Sequence, residues 1–219
     1  MKTIVILHGW GSTPARWRPL VNKFKAAGLK VVLPSLPQDK VRSTAEFSDW
    51  FYQKTKTLAP FFLAGHSFGG QIAINFAAGH PERVKKLILI ASAGVRRPSW
   101  KRKIATPLAK LLRGYVREKA KSFLYRLLLA TDYYRANPQM RKTMTIILTE
   151  DQQKNMTKVT APTVIIWGES DRYTPLKDGR LTHRLIKNSQ FEVFPDARHG
   201  LPFTHSQALV SLVKNFLNS

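Results

Sequence analysis

Short unbroken apolar runs alternate along this chain with longer stretches in which apolar positions recur every three or four residues. Ile4-Val5-Ile6-Leu7 is one such run. It is rich in β-branched residues and closed by His8-Gly9, so it reads as a buried strand. Thr13-Pro14 follows as an N-cap and a proline at the first helical position. Trp17, Leu20, Val21 and Phe24 continue at helical spacing, and Gly28 is the expected stop. Residues 29–33 form a second strand, closed by Pro34 and Pro37. Ser43-Thr44-Ala45-Glu46 has the spacing of a capping box, and Phe47, Trp50, Phe51 and Leu58 mark the apolar face of the helix it opens. Residues 61–64 are a third strand, 68–78 a helix and 87–91 a fourth strand. After Pro162 the alternation resumes, with strands over 163–167 and 191–194 and helices over 176–186 and 203–217.

Between about Val95 and Val159 strand signals are weak. Leu108, Leu111, Leu112, Tyr115 and Val116 are helically spaced, as are Phe123, Leu124, Leu127 and Leu128. Basic residues fill the other faces: Arg96, Arg97, Lys101, Arg102, Lys103, Lys110, Arg113, Arg117, Lys119, Lys121 and Arg126. Strands alternating with helices predict an α/β fold, a mostly parallel sheet flanked by helices. Residues 1–94 and 160–219 form its core. Residues 95–159 are a helical cap inserted before the penultimate strand, an insertion and not an independent domain.

Composition narrows the function classes. The 219 residues fit one domain and include no cysteine, which excludes disulfides, thiolate zinc sites, iron–sulfur clusters and a cysteine nucleophile. The first apolar run is too short for a signal-peptide core, and no stretch approaches the roughly 18 apolar residues of a membrane span. A cytoplasmic location is the expectation. Thirty-six Lys and Arg against 13 Asp and Glu give a net charge of +23. Such a balance attracts nucleic acid, acidic lipid or anionic substrates. No helix-turn-helix, zinc-finger or RNP pattern accompanies the charge, so nucleic acid is not expected. An acidic membrane surface is the candidate macromolecular partner of the basic cap.

The chemistry is carried by Gly65-His66-Ser67-Phe68-Gly69-Gly70, directly after the apolar run Phe61-Phe62-Leu63-Ala64. This is G-x-S-x-G at a strand-to-helix junction, the setting of a nucleophile elbow. A serine hydroxyl is a weak nucleophile and needs a base, an acid to orient that base, and donors for the oxyanion. His199, in Asp196-Ala197-Arg198-His199-Gly200 after the last strand, is the candidate base. His8, His66, His80, His183 and His205 are read as structural or exposed. Asp171, in Trp167-Gly168-Glu169-Ser170-Asp171, is the candidate acid, with Glu169 as its competitor. The loop Ser92-Ala93-Gly94 after the fourth strand holds no acid. The Phe68 N–H supplies one oxyanion donor, and the loop His8-Gly9-Trp10-Gly11 offers the Trp10 N–H as the second.

These segments, together with His80-Pro81-Glu82-Arg83-Val84, resemble the α/β-hydrolase superfamily, in the lineage of small bacterial esterases, lipases and C–C-bond hydrolases with a helical cap. The resemblance covers nearly the whole chain. It implies Ser67, Asp171 and His199 as the triad, Trp10 and Phe68 as the oxyanion donors, and 95–159 as the cap, with no metal or cofactor. The expected reaction is hydrolysis of a carboxylic ester through an acyl-enzyme, and the apolar faces of the cap favour an apolar acyl part. Lactone, thioester or C–C cleavage by the same residues is the alternative. Members often begin with an antiparallel hairpin, whereas this chain starts almost at the first parallel strand, so a shorter sheet edge is expected. Arg198 stands where glycine is usual. A cation beside the base would disfavour imidazolium, so its side chain is expected in solvent.

Overall fold

A computed structural model describes residues 2–96 and 138–219 of the protein. The expected helices around Leu108 to Val116 and around Phe123 to Leu128 lie outside the described residues, as do the cap cations from Arg97 to Arg126. Among the described residues six strands are present: β1 (Thr3–Leu7), β2 (Lys30–Val32), β3 (Phe61–His66), β4 (Val84–Ile90), β5 (Thr163–Gly168) and β6 (Ser189–Phe194). They form one sheet in the order β2-β1-β3-β4-β5-β6, and every neighbouring pair is parallel. The three-residue β2 closes one edge.

The unbroken apolar runs follow from this layering, because a strand covered on both faces has no polar position to spare. Val5, Leu7, Leu63, Leu87, Leu89, Ile165 and Trp167 point to one face. That face is covered by α2 (Thr44–Thr55) and α3 (Phe68–Gly79), with Leu176, Leu181 and Leu185 of α6 (Leu176–Leu185) packed against the same cluster. Ile4, Ile6, Phe62, Ala64, Ile88, Ile90, Val164 and Ile166 point to the other. There they meet Trp17, Leu20 and Phe24 of α1 (Pro14–Ala26), Leu201 of α7 (Leu201–Thr204), and Leu209, Val213 and Phe216 of α8 (Ser206–Asn218). Two short helices, α4 (Pro138–Ile147) and α5 (Gln153–Met156), lie in the connection between β4 and β5.

Most element ends match the sequence pattern, and the differences have physical causes. The capping box forms: Ser43 Oγ accepts from the Glu46 N–H, and the Glu46 carboxylate accepts from the Ser43 N–H at 2.8 Å. Thr13 occupies the N-cap position of α1 but its side chain caps nothing. The tie nearby is instead Trp17 Nε1–H donating to Ser12 Oγ at 2.9 Å. Gly28 ends α1 at φ +87°, open to a left-handed turn only a glycine adopts freely. β4 starts three residues before the apolar run because Lys86 has a tertiary role. Its ammonium donates to the Phe216 carbonyl near the C-terminus of α8 at 2.7 Å. The expected closing helix over 203–217 is two helices, α7 and α8, broken at His205 (φ −122°, ψ 32°).

Candidate active site

The nucleophile candidate sits at a single-residue junction. β3 ends at His66 and α3 begins at Phe68, so Ser67 alone makes the turn, at φ 55° and ψ −119°. A non-glycine residue in that region is strained, at about 1–3 kcal/mol. The neighbouring glycines make the turn sterically feasible. A Cβ on Gly65 would lie 2.6 Å from the Gly69 carbonyl oxygen, one on Gly69 2.0 Å from the Leu7 oxygen, and one on Gly70 2.4 Å from Ser92 Oγ. At Gly69 the obstacle is the backbone of β1 itself, which cannot swing aside. Gly69→Ala is therefore expected to cost about 3 kcal/mol or more of stability, read as a lowered urea midpoint. An unchanged midpoint would show that β1 and α3 can separate at no cost.

The other parts of the site converge on this turn from the C-terminal ends of the strands, where parallel α/β sheets gather their ligands. His199 Nε2 lies 3.0 Å from Ser67 Oγ, and His199 Nδ1 lies 2.8 Å from Asp171 Oδ2. Asp171, in the loop between β5 and α6, has its side chain wholly out of solvent, whereas that of His199 is 19% exposed. The acid and base loops are stitched together: the Glu169 and Ser170 N–H groups donate to the carbonyls of Phe194 and Ala197. A Cβ on Gly168 would lie 2.4 Å from the Ala197 oxygen, so the close approach of these loops requires a glycine.

The carboxylate of Asp171 is fully engaged. Oδ1 accepts from the N–H groups of Tyr173 (2.8 Å) and Thr174 (3.0 Å), and Oδ2 accepts from Thr174 Oγ1 at 2.9 Å. Burial alone would raise its pKa. The hydrogen bond and charge of His199 and the two backbone N–H groups outweigh burial, and the net direction is downward. The competitor Glu169 is exposed, and the structure brings Asp171, not Glu169, to His199. Thr174 is a member of the site that the sequence did not mark. Its hydroxyl stands 2.9 Å from Asp171 Oδ2, 3.1 Å from the Ala91 carbonyl oxygen and 3.3 Å from His199 Nδ1. Arg198 is exposed, as its position beside the base requires.

Phe68 is the first residue of α3, where a backbone N–H has no partner within the helix. Gly11 turns at φ 65° in the loop that carries Trp10. Among the described residues neither the Phe68 nor the Trp10 N–H donates to a backbone acceptor. The two side chains meet edge to face, with ring centroids 5.7 Å apart. The remaining histidines have structural partners. His8 Nδ1 bonds the Gly9 carbonyl, His80 stacks on Tyr52, His183 bonds Ser189 Oγ, and His205 pairs with Thr204 Oγ1. Behind the nucleophile, Gln71 of α3 donates to Thr44 Oγ1 and the Ile147 carbonyl and accepts from Arg96. Glu150 accepts from both the N–H and the hydroxyl of Thr44. That cluster ties α2, α3 and α4 together. Among the described residues no group of three or more His, Asp or Glu side chains is placed to hold a metal ion, and no helix is long and apolar enough to cross a membrane.

A family model described as serine aminopeptidase, S33 matches residues 37–204. The chain belongs to this family of α/β hydrolases. It is 27% identical over 252 residues to the 2-hydroxy-6-oxononadienedioate/2-hydroxy-6-oxononatrienedioate hydrolase of Paraburkholderia phymatum, covering 99% of this chain and 87% of that relative. Two solved structures are similar in fold. One is the meta-cleavage product hydrolase of Pseudomonas fluorescens (TM-score 0.73, 21% identity, 100% of this chain and 91% of that one). The other is the enol-lactonase of Burkholderia xenovorans (TM-score 0.75, 19% identity, 100% of this chain and 92% of that one).

Proposed function

We propose that this α/β hydrolase is a serine hydrolase of carboxylic esters that works through an acyl-enzyme. The observation that carries the proposal is the unbroken line of hydrogen bonds from Ser67 Oγ through His199 to the buried Asp171, on a serine held at φ 55°. Asp171 accepts the Nδ1 proton of His199, which leaves Nε2 unprotonated and facing Ser67 Oγ. Ser67 attacks the substrate carbonyl as Nε2 takes its proton. The Phe68 and Trp10 N–H groups stabilise the oxyanion, each donor contributing about 100- to 1000-fold in rate. His199 returns the proton to the leaving alcohol, then deprotonates the water that releases the acid. The edge-to-face pair of Trp10 and Phe68 favours an apolar acyl group beside the donors. Residues 95–159, many of them outside the described residues, are assigned the role of the cap.

A second reading is favoured by the full-length relative of Paraburkholderia phymatum. The compound in its name carries a ketone, an enol and two carboxylates but no ester, so its hydrolysis breaks a carbon–carbon bond. The same serine, base and oxyanion donors serve that reaction.

The purified full chain should be offered p-nitrophenyl esters of graded acyl length, a lactone, an acyl thioester, an aminoacyl anilide and a 2-hydroxy-6-oxodienoate. A fluorophosphonate probe should be run alongside. Turnover of the esters with labelling at Ser67 is the expected result. Labelling with turnover of the dienoate alone supports the second reading. A folded protein that is neither labelled nor active on any of these compounds overturns both.

A further inference from the structure

His66, the residue before the nucleophile, is buried and has its own environment. Its ring packs among Trp17 (ring centroids 5.6 Å apart), Phe203 (6.4 Å) and the ring of His199 (5.0 Å). Nε2 stands 3.0 Å from the His199 carbonyl oxygen. A carbonyl can only accept, so Nε2 carries the proton and Nδ1 is a bare lone pair. Among the described residues that buried Nδ1 has no hydrogen-bond partner; it faces the Gly9 backbone, where an added Cβ would lie 3.2 Å away. An unsatisfied buried acceptor costs about 1–3 kcal/mol, and an apolar side chain between Trp17 and Phe203 would avoid that cost. Packing therefore does not explain a histidine here, whereas the bond to His199 does.

We infer that His66 is a positioning residue for the base: its Nε2–H grips the carbonyl of His199 and fixes the imidazole in line with Ser67 Oγ. The inference rests on the hydrolase reading of Ser67 and His199. His199 lies in the loop between β6 and α7, where no ladder of strand hydrogen bonds holds it. Asp171 anchors the ring at Nδ1 and His66 anchors the backbone, and two anchors define an orientation where one leaves a hinge. Burial, reinforced by the nearby His199, pushes the pKa of His66 down to about 3. It thus stays neutral while His199 carries the proton taken from Ser67, and no second cation forms beside the imidazolium.

The test uses His66→Leu, which keeps an apolar volume without a donor, and His66→Gln, whose amide N–H can reach the same carbonyl. Displacements on the order of 1 Å at a reacting group cost about 100-fold in rate. His66→Leu should slow both fluorophosphonate labelling and kcat about 10- to 100-fold with KM within about twofold of wild type, and His66→Gln should restore most of the loss. A loss that appeared only in thermal stability, or one that glutamine did not restore, would reduce His66 to packing. Nitrogen-15 NMR of the wild type decides the matter even where a variant fails to fold. Protonation at Nε2 alone across pH 5–8 is the expected signature; an Nδ1–H tautomer, or titration near 6.5, overturns the inference. Wild-type labelling rates in both variants remove the role of His66 and leave the hydrolase reading intact. A folded wild type that is not labelled removes that reading instead.

Discussion

Replacing Ser67 by alanine will lower turnover by about four to six decades and abolish fluorophosphonate labelling, while leaving the fold within about 0.5 kcal/mol of wild type. The asymmetry follows from what the side chain touches. Its hydroxyl caps no backbone group of α3 and, among the described residues, hydrogen-bonds to His199 Nε2 alone. The strain at φ 55° resides in the backbone and is common to serine and alanine. Ser67→Gly should lose the same activity and gain stability, because glycine occupies positive φ without a Cβ clash. That pair of outcomes would locate the strain in the service of catalysis. Rates are to be measured with the best ester or dienoate substrate, and stability by urea unfolding. Activity within tenfold of wild type in carefully purified Ser67→Ala would remove Ser67 from the chemistry and leave the triad without its nucleophile.

The parts of the site that could be read from sequence are those whose constraint is local. Gly65, Gly69 and Gly70 flank a serine because backbone atoms approach within 2–3 Å of where their Cβ atoms would be, and that demand leaves a pattern six residues long. Asp171 and His199 lie 28 residues apart but occupy the loops after successive strands, so chain order and strand counting found them. Strand faces were equally legible, because burial on both sides removes polar residues from β1, β3 and the upper half of β4. The lower half of β4 was missed because Lys85 and Lys86 read as loop, although Lys86 reaches the end of α8.

What sequence did not show depends on contacts between distant segments. Thr174 earns its place only when folding brings it to the Ala91 carbonyl, 83 residues away. By sequence His66 reads as structural or exposed. Its ring reaches the site through the backbone carbonyl of a residue 133 positions on. The Gln71, Thr44, Arg96 and Glu150 cluster likewise joins three helices across separations of up to 106 residues. Polar partners of this kind leave no periodicity, because a single well-placed hydrogen bond constrains one residue and not its neighbours.

Asp171→Asn tests the orientation of the base and should lower kcat by about 10⁴-fold with little change in KM. The mechanism is a tautomer exchange. The N–H groups of Tyr173 and Thr174 both point at Oδ1 and hold the asparagine carbonyl there, which leaves the amide nitrogen at the Oδ2 position. An amide N–H facing His199 Nδ1 makes that nitrogen an acceptor, so the proton moves to Nε2 and points at Ser67 Oγ. A base in that state cannot take the serine proton. The pH dependence of stability should change as well. The pKa of Asp171 is depressed in the folded protein, so its ionised form contributes stability above the unfolded carboxyl pKa, and that contribution is lost as pH falls through the folded value. Asparagine lacks the titration, and the stability difference between wild type and variant should shrink from about pH 5 downward. Among the described residues, Thr174, 3.3 Å from His199 Nδ1, and the neighbouring Glu169 are the groups that could take the place of Asp171 at that nitrogen. An Asp171→Asn enzyme retaining a tenth or more of wild-type kcat would mean that one of them does so, and that the buried carboxylate serves the fold alone.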